Sequence, residues 1–314
     1  MIDILILEGG FNEEHKVSLA TSSEIKKVLN KKNIKYKTLL VNPKTFYKDI
    51  NKYSNKLICF NCLHGTFGED GTIQKILKIK NFKFTHSGIN SSKLCFDKFK
   101  SKKKVSKIKV PILPSLELKL NFLNRSNLYK FRKKFNKYII KPNRSGSSFG
   151  VKIIKSKEDI ENLISKLNKY KKKLTNHDTL IIEKYIEGKE LTVSVLKIDK
   201  KTKALDVTEI ISKNNFFDYK AKYTKGFSKH ILPAKIPIIV YKKCLKFALQ
   251  AHKVLKCNAI SRTDFIYDKK NNKIFYLETN TQPGLTSVSL VPEQAIYKNL
   301  SFEKIVFELI KYTK

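Results

Sequence analysis

The chain has 314 residues, of which 41% are apolar, enough to bury a core in more than one unit. It carries 65 Lys plus Arg against 27 Asp plus Glu, a formal net charge of +38. Such a charge suggests a polyanion partner, yet only Arg125, Arg132, Arg144 and Arg262 are arginine, and a nucleic-acid surface draws on arginine for bidentate contacts, so solvated lysines explain the excess better than a nucleic-acid face.

Taken in chain order, residues 3–8 read as a buried strand, 15–31 as a helix, 35–41 and 57–62 as strands and 72–80 as a helix. This first segment lacks a basic leader, and no apolar run approaches the roughly 18 residues of a membrane span, so neither a signal peptide nor membrane insertion is expected. Strands alternating with helices argue an α/β unit on a parallel sheet. Cys59 and Cys62 close the third strand, where side chains three apart point to opposite faces, which disfavours a metal or redox pair. With Cys95, Cys244 and Cys257 they make an odd set of five, as expected of a reduced, cytoplasmic protein.

The lysine-rich stretch 98–109, closed by Pro111 and Pro114, reads as a junction. Beyond it lie a strand at 112–118, a helix at 122–136, strands at 137–142 and 150–155, a helix at 157–172 and a strand at 179–185, a small α+β unit. Strands at 190–198 and 204–212 then lead into an irregular stretch, 213–234, of a length more typical of a lid than of a connector. A helix at 238–255, two strands and a terminal helix at 301–312 complete the chain.

Glycine is scarce at 11 residues, about half its usual share, and the few present are grouped. Grouped glycines in such a chain mark positive φ or close approach to a ligand. The segment from Lys141 to Gly150 (KPNRSGSSFG) lies between two strands rather than between a strand and a helix, so it is no Walker loop. Its Gly and Ser amides, with Lys141 at the base, could still cover phosphates.

The strongest spacing signal is a hairpin. Two strand-like runs, 262–267 and 274–279, flank the polar turn 268–273. If Asp268 faces Ile274, Asp264 stands against Glu278 and Arg262 against Asn280, all on one face, while Thr263, Phe265, Phe275 and Leu277 can pack on the core. Two carboxylates and an amide suit Mg²⁺, completed by water and nucleotide phosphates. The same residues also fit a solvated cross-strand polar cluster, and a one-residue slip would break the arrangement.

Eight segments together carry a resemblance. They are Gly9-Gly10 with Glu14, Val17, Ser18 and Leu19; His64 to Gln74 (HGTFGEDGTIQ); Ser87-Gly88 leading to Asp97-Lys98; the loop from Lys141 to Gly150; Glu183 to Glu190 (EKYIEGKE); Asp218 to Tyr223 (DYKAKY); Arg262-Thr263-Asp264; and Glu278 to Gly284 (ETNTQPG), followed by Ser289-Leu290-Val291-Pro292. In this order and spacing the chain resembles the D-alanine–D-alanine ligases of the ATP-grasp superfamily over nearly its whole length.

The resemblance implies a three-domain ATP-grasp architecture, α/β and α+β: an N-terminal parallel-sheet α/β substrate-binding domain at 1–98, a small central domain at 99–186, and a catalytic domain at 187–314 with the lid at 213–234. It implies ATP-dependent joining of two D-alanines through an acyl phosphate, for peptidoglycan synthesis. Lys98, Lys141 and Lys222 would meet phosphates, with the amides of Ser147 and Ser148 over them; Glu183, Lys184, Tyr185 and Ile186 would meet the adenine and Glu190 the ribose. Asp264, Glu278 and Asn280 would hold two Mg²⁺, with Mn²⁺ as a substitute. Glu14 would hold the first ammonium beside Val17, Ser18 and His64; Arg262 and the Gly284 amide would face the oxyanion; Ser289 and the Leu290 amide would hold the second carboxylate. A Glu14, Ser147, Tyr223 trio would close the lid, and Tyr at 223 rather than Phe favours a dipeptide over an ester. Ser145, Phe217, Lys220 and Gln282 depart from the family's usual residues. A homodimer is also implied. Another carboxylate–amine ligase of the superfamily is the alternative; a basic nucleic-acid-binding protein rests on charge alone.

Overall fold

The computed structural model describes residues 3–12, 14–146, 149–212 and 228–314. Among these residues three sheets form. The first is parallel, in the order β2 (Tyr36–Val41), β1 (Ile4–Gly9), β3 (Ile58–Asn61), β4 (Lys83–Phe84). Parallel neighbours need a long crossover, and the helix His15–Lys31 supplies the one between β1 and β2. Both faces of this sheet are covered. Leu5, Leu7 and Cys59 pack on one side, and Ile4, Ile6 and Cys62 on the other, so the two thiols are separated by the sheet as their spacing requires. The chain's last residue extends the edge: Phe84 and Lys314 exchange backbone hydrogen bonds of 3.1 and 2.9 Å.

The second sheet is antiparallel, in the order β5 (Ser115–Lys119), β8 (Thr179–Lys184), β6 (Tyr138–Pro142), β7 (Lys152–Ile154). The helix Arg125–Phe135 starts where the Asn124 side chain accepts the Asn127 N–H, and the helix Lys157–Ser165 where Ser156 and Asp159 form a reciprocal cap. The single helix expected over 157–172 breaks at Lys166, and a second segment, Leu167–Lys173, follows.

The third sheet runs β11 (Ser228–Ile231), β10 (Lys201–Ser212), β9 (Lys189–Ile198), β12 (Ile260–Asp268), β13 (Lys273–Asn280), all antiparallel, beneath the helix Ile238–Val254. Strand β11 lies inside the stretch expected to be irregular, because pairing with β10 from Glu209 to Ser212 satisfies its backbone. Residues 213–227 of that stretch lie outside the described residues. A bulge in β10 between Ala204 and Val207 leaves Ser194 opposite no β10 residue. The fully buried Gln294 fills the gap: its Oε1 accepts the Ser194 N–H at 2.9 Å, and its Nε2 donates to Thr192 O at 3.1 Å and Thr208 Oγ1 at 2.9 Å. This fixes the helix Leu290–Tyr297 against the sheet.

The lysine-rich stretch expected to be a junction forms the helix Lys98–Ser106, begun by the Asp97 carboxylate accepting the Lys100 N–H at 3.0 Å. Its inward face is Ser101, Lys102 and Val105, and the apolar pattern fails in the sequence because one inward position is a charged residue. The first and third sheets share a core: Ile6 and Phe60 from one, Leu196 and Ile260 from the other, and Ile305 and Leu309 of the helix Phe302–Lys311.

Two buried imidazoles make the fold sensitive to acid. Burial, aided by the neighbouring His64, lowers His86 from 6.5 to about 3; burial, aided by Lys253, lowers His252 to about 4. Both are neutral in the folded protein, so below 6.5 the unfolded chain binds more protons and stability falls as pH drops towards 4. We expect each to contribute a slope of about 1.4 kcal/mol per pH unit in that window. His252→Gln should flatten the slope of urea-derived stability against pH by about one such increment; an unchanged slope contradicts the assignment.

Candidate active site

The hairpin of β12 and β13 pairs Arg262 with Asn280, Thr263 with Thr279 and Asp264 with Glu278, as the spacing predicts. Beyond Asp264 a bulge shifts the register, so Asp268 faces Lys273 rather than Ile274. The extra residue is Leu277. In consequence Ile274 and Tyr276, not Phe275 and Leu277, join Phe265 in the core, and Leu277 turns to the wall of a cavity. The Arg262 guanidinium grips Asp264 with both arms, Nε to Oδ1 at 3.0 Å and Nη2 to Oδ2 at 2.9 Å, and Thr192 Oγ1 donates to Oδ1 at 2.5 Å.

Two cavities meet at this hairpin. The larger lies between the second and third sheets, and its wall includes Lys98, Lys141, Lys184, Tyr185, Ile186 and Glu190, with Glu183, Asp264 and Glu278. Ile139, Leu191, Ile210, Ile266 and Leu277 make the rest largely apolar, so one end suits a flat ring and the other a charged chain. Glu183 is almost fully buried between two ammonium groups, Lys102 Nζ at 2.6 Å from Oε1 and Lys141 Nζ at 3.0 Å from Oε2. Burial alone would raise the Glu183 carboxyl, but Lys102 and Lys141 outweigh it and hold it below its ordinary value. Burial lowers Lys102 to about 8 against the pull of Glu183, whereas Glu183 and Glu278 overcome burial and raise Lys141. Lys102, wholly inaccessible and also donating to Tyr276 O at 2.9 Å, was missed by sequence reasoning. Its signal was a lysine on the inward face of a helix.

The smaller cavity is bounded by Glu14, His64, Arg262, Asn280, Thr281 and Gly284, and shares Lys98, Ser145, Gly146 and Glu278 with the larger. Lys98 stands at the passage between them, its Nζ 3.1 Å from Glu278 Oε2 and donating to Ser145 O at 2.5 Å. Two glycines close on Glu14. A Cβ at Gly65 would lie 2.4 Å from Glu14 Oε2 and one at Gly146 2.6 Å from it, so a side chain at either would displace the Glu14 carboxylate, and at Gly65 the φ of +71° disfavours one in any case. Buried His64 bridges Thr21 Oγ1 at 3.0 Å and Glu69 Oε1 at 3.3 Å.

Not every expected residue reaches a cavity. Val17 and Ser18 lie behind the wall in the helix His15–Lys31; Ser18 Oγ accepts the Gly9 N–H at 2.8 Å and the Ser18 N–H donates to Glu14 O at 3.0 Å, so they support Glu14 from behind. Ser289 begins the helix Leu290–Tyr297 beside Gly284, with its Oγ 2.8 Å from Thr286 Oγ1; Leu290 packs on Ile210. Ser147, Ser148, Lys222 and Tyr223 lie outside the described residues, as do Phe217 and Lys220.

Against known proteins, residues 114–311 match the family profile described as D-ala D-ala ligase C-terminus. A D-alanine–D-alanine ligase of Wolbachia pipientis wMel is 39% identical over 98% of this chain and 93% of its own length. One of Rickettsia typhi is 37% identical over 98% and 91%. Among solved structures, a D-alanine–D-alanine ligase from Bacillus anthracis complexed with ATP superposes with a TM-score of 0.80 at 27% identity, covering 99% of this chain and 97% of that one. The VanG D-Ala:D-Ser ligase of Enterococcus faecalis gives 0.79 at 28%, covering 99% and 98%.

The buried trio makes a directional prediction. Glu183→Gln leaves two buried ammoniums without their counter-charge and should cost about 3–5 kcal/mol, whereas Lys102→Met keeps one pair and should cost clearly less. Urea denaturation of the two variants checks the order; equal losses would contradict it.

Proposed function

The chain belongs to the D-alanine–D-alanine ligase family, with its ATP-grasp fold, and we propose that the two adjoining cavities join two D-alanines with ATP to supply peptidoglycan precursor. The observation that carries the reading is the pairing of Asp264 with Glu278 where the larger, lysine-lined cavity meets the small polar one. ATP lies in the larger cavity, its adenine among Glu183, Lys184, Tyr185 and Ile186, its ribose at Glu190, and its phosphates towards Lys98 and Lys141, with Ser147, Ser148 and Lys222 assigned to the same end by the resemblance alone. The domain limits 1–98, 99–186 and 187–314, a homodimer and a cytoplasmic setting belong to the same proposal.

The donor set fits Mg²⁺. Asp264 and Glu278 supply carboxylate oxygens on one face, Asn280 an amide oxygen, and phosphates and water complete an all-oxygen shell. Two Mg²⁺ held there, with Mn²⁺ as a substitute, would neutralise charge on the phosphates. Lys98 and Arg262, now paired with Glu278 and Asp264, screen these carboxylates from each other.

The first D-alanine lies in the smaller cavity with its ammonium at Glu14, and its carboxylate oxygen attacks the γ-phosphorus, breaking the bond to ADP. Catalysis here is positioning: Glu14 on one unit and the hairpin on another fix the two reactants in line. The amine of the second D-alanine attacks the acyl carbon and phosphate leaves. Arg262 and the Gly284 N–H face the oxygen on which charge develops, and a fixed guanidinium suits it. Ser289 and the N–H of Leu290, at the start of a helix beside Gly284 and outside both cavity walls, are assigned to the second carboxylate by the resemblance alone. His64, locked between Thr21 and Glu69, faces the first substrate. Tyr223, with Glu14 and Ser147, is assigned to lid closure.

Incubation with ATP, Mg²⁺ and D-alanine should yield ADP and D-alanyl-D-alanine in equal amounts. Turnover with another amino acid but none with D-alanine would remove the substrate assignment and favour the alternative, another carboxylate–amine ligase. Asp264→Asn should lower kcat by about a hundredfold or more, well beyond the modest fall in urea midpoint expected from weakening the Arg262 grip, because the amide keeps the shape and loses the charge. A parallel loss of stability and activity would count against a metal role.

A further inference from the structure

Gln282 stands where the family resemblance leads one to expect a smaller or apolar side chain, and it is almost fully buried, 2% exposed. Both ends of its amide are used across the gap between the first and third sheets. Nε2 donates to Leu63 O and, at 3.3 Å, to Asn61 O; Oε1 accepts from Asn61 Nδ2 at 2.8 Å. Asn61, equally buried, spends its other contacts on the same loop, accepting the Leu63 N–H at 3.1 Å and donating to Gly68 O at 3.1 Å. Meanwhile the Gln282 backbone N–H donates to Asn280 Oδ1 at 2.8 Å. One residue therefore grips the loop after β3, which carries His64 and Gly65, and the end of β13 with the segment after it, which carry Asn280 and Gly284. Both segments form walls of the smaller cavity.

We propose that Gln282 is a positioning residue that sets the separation of these two walls, and so the binding of the first amino acid, without taking part in nucleotide binding. The proposal rests on the functional reading above. A buried amide has no water to turn to, so removing its hydrogen-bonding ends leaves Leu63 O and the Asn61 amide unsatisfied, and the loop must shift to recover them. Asn12 links this loop to Glu14, its Nδ2 donating to His64 O at 2.8 Å and Thr66 O at 3.2 Å and its Oδ1 accepting the Glu14 N–H at 2.9 Å, so a shift of the loop carries to the group that meets the ammonium. The loop after β3 contributes nothing to the larger cavity, which β13 reaches only through Leu277 and Glu278.

The test compares the unaltered protein with Gln282→Met, which keeps the length and loses the amide, and Gln282→Glu, which keeps an acceptor but loses the donor to Leu63 O. The KM for the first D-alanine should rise about tenfold in both, while the KM for ATP stays within about twofold. Asn61→Leu should raise the same constant, and adding it to Gln282→Met should raise it little further, since both remove one contact. Amide hydrogen exchange should quicken at Leu63 to Glu69 and not in β6 or β8. Equal rises in both KM values, or a stability loss with unchanged kinetics and unchanged exchange in that loop, would overturn the proposal. If the unaltered protein makes no dipeptide, the functional reading fails on its own, and the exchange pattern of the variants still decides whether Gln282 holds the two walls together.

Discussion

The cross-strand pairing of Asp264 with Glu278 is the constraint on which the two cavities depend. It puts two carboxylates side by side on the face of a sheet, where they repel unless cations answer them. Arg262 answers one with a two-armed grip and Lys98 the other, and each cation comes from a different element, β12 itself and the helix Lys98–Ser106. The charges that bind the hairpin together are therefore the same ones offered to a metal and to phosphates. An uncompensated pair would be costly to bury, and the half-buried position at the meeting of two cavities keeps that cost low.

The same economy of charge is repeated deeper in the molecule. Lys102, Glu183 and Lys141 form a chain of alternating sign that runs from a helix through β8 to β6. It converts what looked like surplus lysine into structure. The chain's net charge of +38 is thus not uniform background: a few lysines are fixed by carboxylates around the larger cavity, while many lie on exposed faces.

Much of this was legible in the residues. The helix His15–Lys31 and the strands β1, β2 and β3 follow apolar periodicity directly, β4 at two residues is too short to show one, and the hairpin spacing puts Asp264 against Glu278. That register was reached from a pairing of Asp268 with Ile274 that does not occur; the turn pairs Asp268 with Lys273, one residue off, and the bulge at Leu277 restores that residue before the site, so the two departures cancel at Asp264. The helix Lys98–Ser106 was hidden because burial of Lys102 depends on a partner 81 positions away in the sequence, Glu183, which no local pattern reveals. The helices Ile89–Phe96 and Leu290–Tyr297 escaped for a different reason: at two turns each, they carry too few residues for a period to show, and the second is fixed by Gln294 filling a bulge in another strand.

The central claim, that the carboxylate of a D-alanine held beside Glu14 attacks the phosphate end of an ATP held beyond the hairpin, is tested most directly by isotope transfer. D-alanine labelled with oxygen-18 in its carboxylate is turned over with ATP and Mg²⁺, and the released phosphate is examined by mass spectrometry. An acyl phosphate requires one labelled oxygen in the phosphate for each dipeptide formed. Dipeptide accompanied by unlabelled phosphate would contradict the account.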